Sequence, residues 1–290
     1  MNLILDFAPP LVFAALGGVL SERAGVVNIG LEGMMRFGAF ASAAGAIFSG
    51  SPWVGFACGA LAGACAAAVH ALLSLRFRAD QVVSGIALNL VALGLVTYLV
   101  QAVFGSSGVS PPAPSLSRDR FGHSPLAYAA LAVPLLFHLW LSWTPAGLRV
   151  RAVGEHPRAA AAMGVRVLWL RAACVLFSGV LAGAGGATLS VGIVGQFDSR
   201  MPAGQGFMAL AAMVFGRWTP LGAAAASFFF AAAEALQRQL SFSLHAADLR
   251  LEGVFLALPY AFTLLVLAFR IGRTRAPAAD GVPYDPETQV

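Results

Sequence analysis

Long, nearly uninterrupted runs of apolar residues dominate this chain of 290 residues. A helix needs about 20 mostly apolar residues to cross the hydrocarbon core of a bilayer, and a backbone in lipid must satisfy its hydrogen bonds within its own segment. The sequence therefore predicts an all-α, polytopic membrane protein of about nine hydrophobic segments. These segments lie near 4–20, 26–48, 53–75, 82–104, 125–142, 168–194, 206–216, 220–239 and 252–270.

The few charged residues exclude several kinds of chemistry. Only 11% of the residues are charged, against about 25% in an average soluble protein, and all 18 basic residues are arginine. A chain without lysine has no P-loop for ATP and forms no Schiff base. The apolar runs contain no nucleophile–base pair and no cluster of metal ligands, so we expect no catalytic residue, cofactor or metal site.

The arginines also predict an orientation. When the loop 76–81 is placed in the cytoplasm, twelve arginines fall on that side and five on the other. Loops on the cytoplasmic side of a membrane carry an excess of basic residues. We therefore expect the N-terminus outside and the C-terminus inside, and we attribute the net charge of +5 to this bias and not to binding of nucleic acid.

Three polar residues within or beside the spans are candidates for a solute pathway. Asn28 and Glu32 lie within a glycine-rich interruption of the first two segments, and Asn89 lies about two turns inside the fourth. Such an interruption is typical of a broken helix whose free backbone groups line a cavity. The alternatives are an ordinary turn, a pairing of Glu32 with Arg36 one turn later, and a helix-to-helix hydrogen bond for Asn89.

Of three further polar features, two have predominantly structural interpretations and the third is open. Asp80 is well placed to cap the N-terminus of the fourth span. Glu234 and Arg238 are spaced to form an ion pair along one helix. The linker 192–206 either closes the outer mouth of a pathway or is a solvated loop.

The loop 143–167 has the punctuation of a short helix exposed to the cytoplasm. Pro157 suits a first helical position, the residues from Arg158 to Met163 are rich in alanine, and Gly164 supplies a stop. A capped helix of this kind indicates a docking element, and a plain connecting loop is the alternative.

Four runs of residues, in this order along the chain, carry a resemblance to a known family. They are LSERAGVVNIGLEGMM, ADQVVSGIALN, LRVRAVGEHPRAAAAMGV and GQGFMALAAMVFGRWTPLGA. The chain resembles the permease subunits of ATP-binding-cassette (ABC) importers for branched-chain amino acids, simple sugars and nucleosides. The likeness is greatest to the nucleoside (guanosine-type) permeases.

The resemblance implies a type II ABC importer transmembrane fold, with ATP bound and hydrolysed on a separate ATPase subunit. It also implies a second permease subunit, which forms a heterodimer with this one, and a periplasmic or lipid-anchored solute-binding protein. The segment that couples transport to the ATPase would comprise Gly154, Glu155, His156, Pro157 and Arg158. Two positions depart from the family pattern as we know it: Arg36 stands where an apolar residue is usual, and His156 where asparagine is common.

We therefore expect a permease domain over residues 1–271, with its coupling loop at 143–167, and a disordered cytoplasmic tail at 272–290. The expected function is ATP-driven uptake of a nucleoside or a related small polar solute across the bacterial inner membrane. A sugar or branched-chain amino acid permease is the alternative within this family. An ion-coupled secondary transporter, which would need no cytoplasmic partner, is the alternative of another class.

Overall fold

The computed structural model describes residues 2–106, 108–120, 122–244 and 275–285. Within these ranges the regular structure is helical. α3 and α8 each continue directly into a π-helical stretch, Leu72–Arg76 and Thr188–Val194 respectively. The α-helices are α1 Asn2–Arg23, α2 Leu31–Ser49, α3 Pro52–Ala71, α4 Gln81–Phe104, α5 Pro125–Trp143, α6 Pro145–Glu155, α7 Pro157–Ala162, α8 Val167–Ala187, α9 Gln205–Phe215 and α10 Pro220–Leu244.

Five helices of the described chain are long and apolar enough to cross a membrane, so the expected count of about nine is not confirmed. α9 is apolar but has only 11 residues, and the predicted segment 252–270 lies outside the described residues. α2 and α10 are long helices, but each carries an acidic and a basic residue, which lowers its hydropathy. The five candidate spans are Ile4–Arg23, Pro52–Arg76, Gln81–Phe104, Pro125–Trp143 and Val167–Val194.

Several helix ends follow directly from local sequence. The carboxylate of Asp80 accepts a hydrogen bond from the Val83 backbone N–H (2.9 Å), which confirms the predicted N-cap of α4. At the other end of α4, Gly105 adopts the left-handed conformation (φ 66°) that ends many helices. Thr144 caps α6 by accepting from the Gly147 N–H (3.1 Å).

α1 lies at the centre of the bundle. In its candidate span 83% of the residues are buried, against 28% in α4, and α1 packs mainly against α8, α10 and α9. α3, α4 and α5 form the periphery and expose large apolar side chains such as Leu61, Leu90 and Leu136. Exposed apolar surface of this extent suits contact with lipid or with another membrane subunit.

Close approach of glycines joins α2, α3 and α8. A Cβ atom added to Gly63 of α3 would lie 2.2 Å from the Gly179 carbonyl oxygen, and one added to Gly38 of α2 would lie 2.3 Å from that of Gly183. Small residues at four-residue spacing let helix backbones approach in this way in lipid. Gly59 and Gly63 of α3, and Gly179 and Gly183 of α8, have this four-residue spacing.

The two ends of the bundle are closed differently. At the end where α1 starts, the loop between α4 and α5 runs beside residues 191–199, with backbone hydrogen bonds such as Ala113 N–H to Gly195 O (2.8 Å). Phe197 of that linker is fully buried. At the end where α1 stops, α6 packs against it so closely that a Cβ atom on Gly154 would lie 2.1 Å from Arg23 O.

Candidate functional site

The interruption between α1 and α2 is held in place by side chains from other helices. The Val27 N–H donates to Gln81 Oε1 of α4 (2.7 Å), and Val27 O lies 3.0 Å from His70 Nε2 of α3. Within the segment, Ser21 Oγ donates to Val26 O (2.7 Å). The backbone groups freed by the break are thus satisfied inside the protein, as they must be at membrane depth.

Asn89 spans from α4 to the start of α2. Its Oδ1 accepts from the Gly33 N–H (2.7 Å), and its Nδ2 donates to Ile29 O (3.0 Å). The first N–H groups of a helix have no partner within the helix, so this amide caps α2 from a neighbouring helix. The side chain is half-buried.

Asn28 is fully buried at the same break. Its Nδ2 donates to Ser178 Oγ of α8 (3.0 Å) and makes a longer contact with the Met34 sulfur (3.6 Å). Its Oδ1 has no hydrogen-bond partner among the described residues. An unpartnered buried acceptor is costly, and it marks this position as one where a donor could bind.

Glu32, in the first turn of α2, caps the N-terminus of α9. Its Oε1 accepts from the Gly204 N–H (2.9 Å) and its Oε2 from the Gly206 N–H (2.7 Å), at the start of α9. A carboxylate at a helix N-terminus is favourably placed with respect to the helix dipole. Arg36 interacts electrostatically with Glu32 but forms no close ion pair with it; its Nη1 donates to Ser199 O (2.5 Å).

The three predicted pathway residues therefore lie in or beside the first turn of α2, and each connects it with a different helix. Asn28 contacts α8, Glu32 contacts α9 and Asn89 belongs to α4. The sequence did not identify Ser178 as the partner of Asn28, or His70 as the partner of Val27 O in the same break. Both are fully buried polar residues in apolar helices, and that placement was the available signal.

The predicted coupling segment forms the corner between α6 and α7. α7 covers Pro157–Ala162 with proline in its first turn, and Gly164 (φ 83°) follows it, as the sequence predicted. Glu155, His156 and Arg158 are exposed at this corner. The Ala160 side of α7 faces inward and packs in a small apolar cluster with Val153 and Val167.

Residues 275–285 of the tail lie against this corner, a contact that the composition of the tail does not predict. The Ala279 N–H donates to Gly154 O (2.9 Å) and the Ala278 N–H to Glu155 Oε2 (3.2 Å). Arg78 forms a two-pronged ion pair with Asp285 (2.8 and 2.9 Å). The remaining tail residues, 272–274 and 286–290, lie outside the described residues.

Asp280 is the buried carboxyl of this docked segment. It interacts with Glu22 of α1 and with Arg171 of α8, and burial raises its pKa to about 7. Arg171 is fully buried and also binds the tail backbone, since its Nη1 donates to Val282 O (3.0 Å).

The predicted pair in α10 is confirmed. Arg238 Nη2 lies 2.8 Å from Glu234 Oε1, and the Arg238 guanidinium stacks 4.3 Å above the centre of the Phe7 ring. Gln205 Nε2 also lies 3.3 Å from both oxygens of Glu234. This cluster lies at the end of the bundle opposite to the coupling segment, because Phe7 is near the start of α1.

Comparison with known families gives one match. Residues 1–269 match the family described as branched-chain amino acid transport system / permease component. The match includes the helix break, the coupling segment and the α10 cluster.

Individual relatives agree with this match. The chain is 41% identical to the guanosine ABC transporter permease protein NupQ of Bacillus subtilis, over 97% of this chain and 94% of that protein. It is 39% identical to the nucleoside ABC transporter permease protein NupC of Lactococcus lactis, over 97% and 95%. A solved structure of a metal-chelate type ABC transporter in an inward-facing conformation has a TM-score of 0.52 at 18% identity, covering 92% of this chain and 85% of that one, which supports the fold alone.

Proposed function

The chain belongs to the branched-chain amino acid transport system / permease component family, and from this premise we propose that it carries a nucleoside into the cell as one subunit of an ABC importer. It is a multi-pass membrane protein and a permease. The family implies an ATPase partner and a solute-binding protein. The nucleoside, the direction of transport and the arrangement of the subunits are the parts that we propose.

One observation carries the choice of substrate class. Two relatives whose names specify guanosine and nucleosides are 41% and 39% identical to this chain over 97% of its length. A sugar or a branched-chain amino acid is the alternative within the family. An ion-coupled transporter works without an ATPase, so it would need no exposed docking corner between α6 and α7.

In this proposal, the solute passes the break between α1 and α2. Asn28, Glu32 and Asn89 are the pathway residues, and the orphaned Oδ1 of Asn28 is the atom best suited to accept a hydrogen bond from the solute. Glu32 and Asn89 act by holding α9 and α2 in position, because their side-chain hydrogen bonds serve those helices.

In the same proposal, the segment Gly154–Arg158 docks into the ATPase, which hydrolyses ATP. The contact between Gly154 and Arg23 O would carry a movement of this corner directly to the end of the central helix. A second, different permease covers part of the exposed apolar periphery, and the complex resides in the bacterial inner membrane with the N-terminus outside.

Uptake by a reconstituted system tests the proposal. The permease would be purified from its native membrane in mild detergent, with its partners identified by mass spectrometry, and then placed in proteoliposomes with ATP inside. We expect an ABC ATPase and a second permease in the complex, and ATP-dependent uptake of guanosine that unlabelled nucleosides reduce. Uptake driven by an ion gradient without the ATPase, or competition by glucose or leucine but not by nucleosides, would overturn it.

A further inference from the structure

A cavity of about 700 Å³ opens at the end of the bundle where α1 begins. It lies between the first turns of α1, the end of α8, the start of α9 and the α10 cluster around Glu234. Sites for small molecules commonly measure about 300–1,000 Å³. The predicted pathway residues do not line this cavity.

The charges around the cavity balance. Its described lining includes two acidic and two basic residues, and each acid pairs with an arginine: Asp198 with Arg200 and Glu234 with Arg238, both at 2.8 Å. The pairing with Arg200 lowers the pKa of Asp198, which keeps that carboxylate charged. A site with no net charge favours an uncharged solute.

One wall of the cavity offers hydrogen-bond acceptors. Gln205 is 6% exposed, and its Oε1 has no partner among the described residues, because its Nε2 is directed at Glu234. A carboxylate can accept about four hydrogen bonds. Oε2 of Glu234 accepts only from Gln205 within the described chain, so it retains capacity for a further donor.

Much of the remaining lining is apolar. It includes Leu189, Ile193, Met201 and Met208. Methionine side chains adapt to flat, polarisable surfaces such as aromatic rings. The cavity thus combines hydrogen-bond acceptors with a soft apolar surface.

We propose that this cavity is a binding site within the permease itself for an uncharged solute that has hydroxyl or N–H donors on one edge and a flat apolar face, as a nucleoside has. Glu234 accepts from the ribose hydroxyls, a pairing that carboxylates make in other nucleotide sites, and Gln205 Oε1 accepts a further donor. The inference rests on the proposed function and adds to it: the permease selects the solute in addition to any selection by the solute-binding protein. A sugar has no flat apolar face to contact the apolar side chains, and an amino acid would bring two charges into a site that has no net charge.

Direct binding, measured without the solute-binding protein, tests this site. The purified complex in lipid nanodiscs would be equilibrated with radiolabelled guanosine, 2′,3′-dideoxyguanosine, glucose or leucine. We expect guanosine to bind best. The dideoxy compound should bind about tenfold more weakly, because hydrogen bonds to a charged group are lost. This comparison uses the unaltered protein and so does not depend on the folding of any variant.

Variants then locate the site. Glu234→Gln and Gln205→Leu should each weaken guanosine binding about tenfold or more. Gln101→Leu, on the exposed end of α4, makes a similar change outside the cavity and should bind as the unaltered protein does. Thermal unfolding of each variant shows whether it is folded.

The outcomes separate this inference from the proposed function. ATP-driven guanosine uptake without measurable binding to the permease complex would overturn the site and leave the function standing. Binding that is equal for guanosine and its dideoxy form, or unchanged in folded Glu234→Gln, would also overturn the site. Loss of uptake of every nucleoside by the complete system would instead overturn the proposed function.

Discussion

Asn89 joins two helices with a single amide, and both of its hydrogen bonds go to backbone groups at the start of α2. In lipid these groups have no water to replace the amide. The side chain therefore stabilises the break between α1 and α2 in a way that an apolar residue of similar size would not.

We expect Asn89→Leu to destabilise the protein by about 1–3 kcal/mol, because it leaves the part-buried Gly33 N–H and Ile29 C=O without their partner. Thermal unfolding in detergent measures the change. Thr97→Val is a matched control on the same helix, since its hydroxyl donates only to Leu93 O within α4. Equal midpoints for the two variants would contradict the capping role of Asn89.

At this scale the sequence showed which residues were unusual but not what they contact. A polar residue in an apolar run is visible by inspection, whereas its partner depends on how helices pack. Asn89 binds groups 56 and 60 positions away, and Glu32 binds groups 172 and 174 positions away. Asp80 could be predicted because its partner is three residues along the chain.

At the scale of helices, the glycine contact between α3 and α8 leaves no room for a side chain. We expect Gly63→Ala to destabilise the bundle by about 1–3 kcal/mol, the usual cost of overpacking, because the new methyl group would lie 2.2 Å from Gly179 O. The amount of folded protein after extraction and its thermal midpoint measure this.

Gly94→Ala is the matched control for this change. It adds the same methyl group to a membrane helix, at a position with nothing within 4 Å. Alanine favours helix more than glycine does, so this variant should be as stable as the original or slightly more so. Similar losses in both variants would show that the close approach is not the cause.

The corner between α6 and α7 supports a separate prediction about coupling. We expect Glu155→Arg to abolish ATP-driven uptake while the protein inserts normally, because a reversed charge on this exposed corner opposes docking of the ATPase. Glu155 also accepts a hydrogen bond from the Ala278 N–H, so the tail contact could contribute to the loss.

Glu155→Gln separates the two effects. It keeps an oxygen for the Ala278 N–H but removes the charge. A pull-down measures how much ATPase subunit each variant retains, and an uptake assay measures its transport. Together they show whether the ATPase contact or the tail contact matters. Full uptake in Glu155→Arg would contradict the coupling role of this segment.

The docked tail should respond to pH. Burial raises the pKa of Asp280 to about 7 from its ordinary value of 3.8, so docking favours the protonated acid. Its contribution is complete below the ordinary value and is lost as the pH rises through about 7. Glu22, a second titratable carboxyl, and Arg171 face it.

We therefore expect hydrogen exchange in residues 275–285, corrected for intrinsic rates, to accelerate as the pH rises from about 4 to about 7 and to level off above that. Asp280→Asn, which stays neutral and similar in shape, should abolish this dependence. A pH response that persists in Asp280→Asn would assign it to another group.

At the scale of the whole molecule, the sequence predicted the helical class and the family. It also predicted the short helix of the coupling loop, with Pro157 at its start and Gly164 after its end. The number of spans was harder to predict, because α2 and α10 carry paired or capped charges and α9 is short. Their charges are satisfied by tertiary contacts, such as those of Glu32 and Glu234. Hydropathy averaged along the chain does not take such contacts into account. The same limit applies to the tail, whose proline-rich composition does not reveal the groove that receives it.

The orientation of the molecule stays a prediction and can be tested by labelling. In a background in which Cys58, Cys65 and Cys174 are replaced by alanine, we expect Arg120→Cys to react with a membrane-impermeant maleimide in intact spheroplasts. Arg166→Cys should react only after permeabilisation, because arginine-rich loops stay in the cytoplasm. The opposite labelling pattern would reverse the assigned topology.

The central position of α1 has a consequence for how the protein is made. The helices that bury it, α8, α9 and α10, are synthesised more than 140 residues after it. Until then Glu22 lacks Trp218, whose Nε1 donates to it (2.6 Å). A nascent chain interrupted before α8 would leave Glu22 at the end of α1 without the partner that covers it, a state that membrane proteases and insertion chaperones are equipped to recognise.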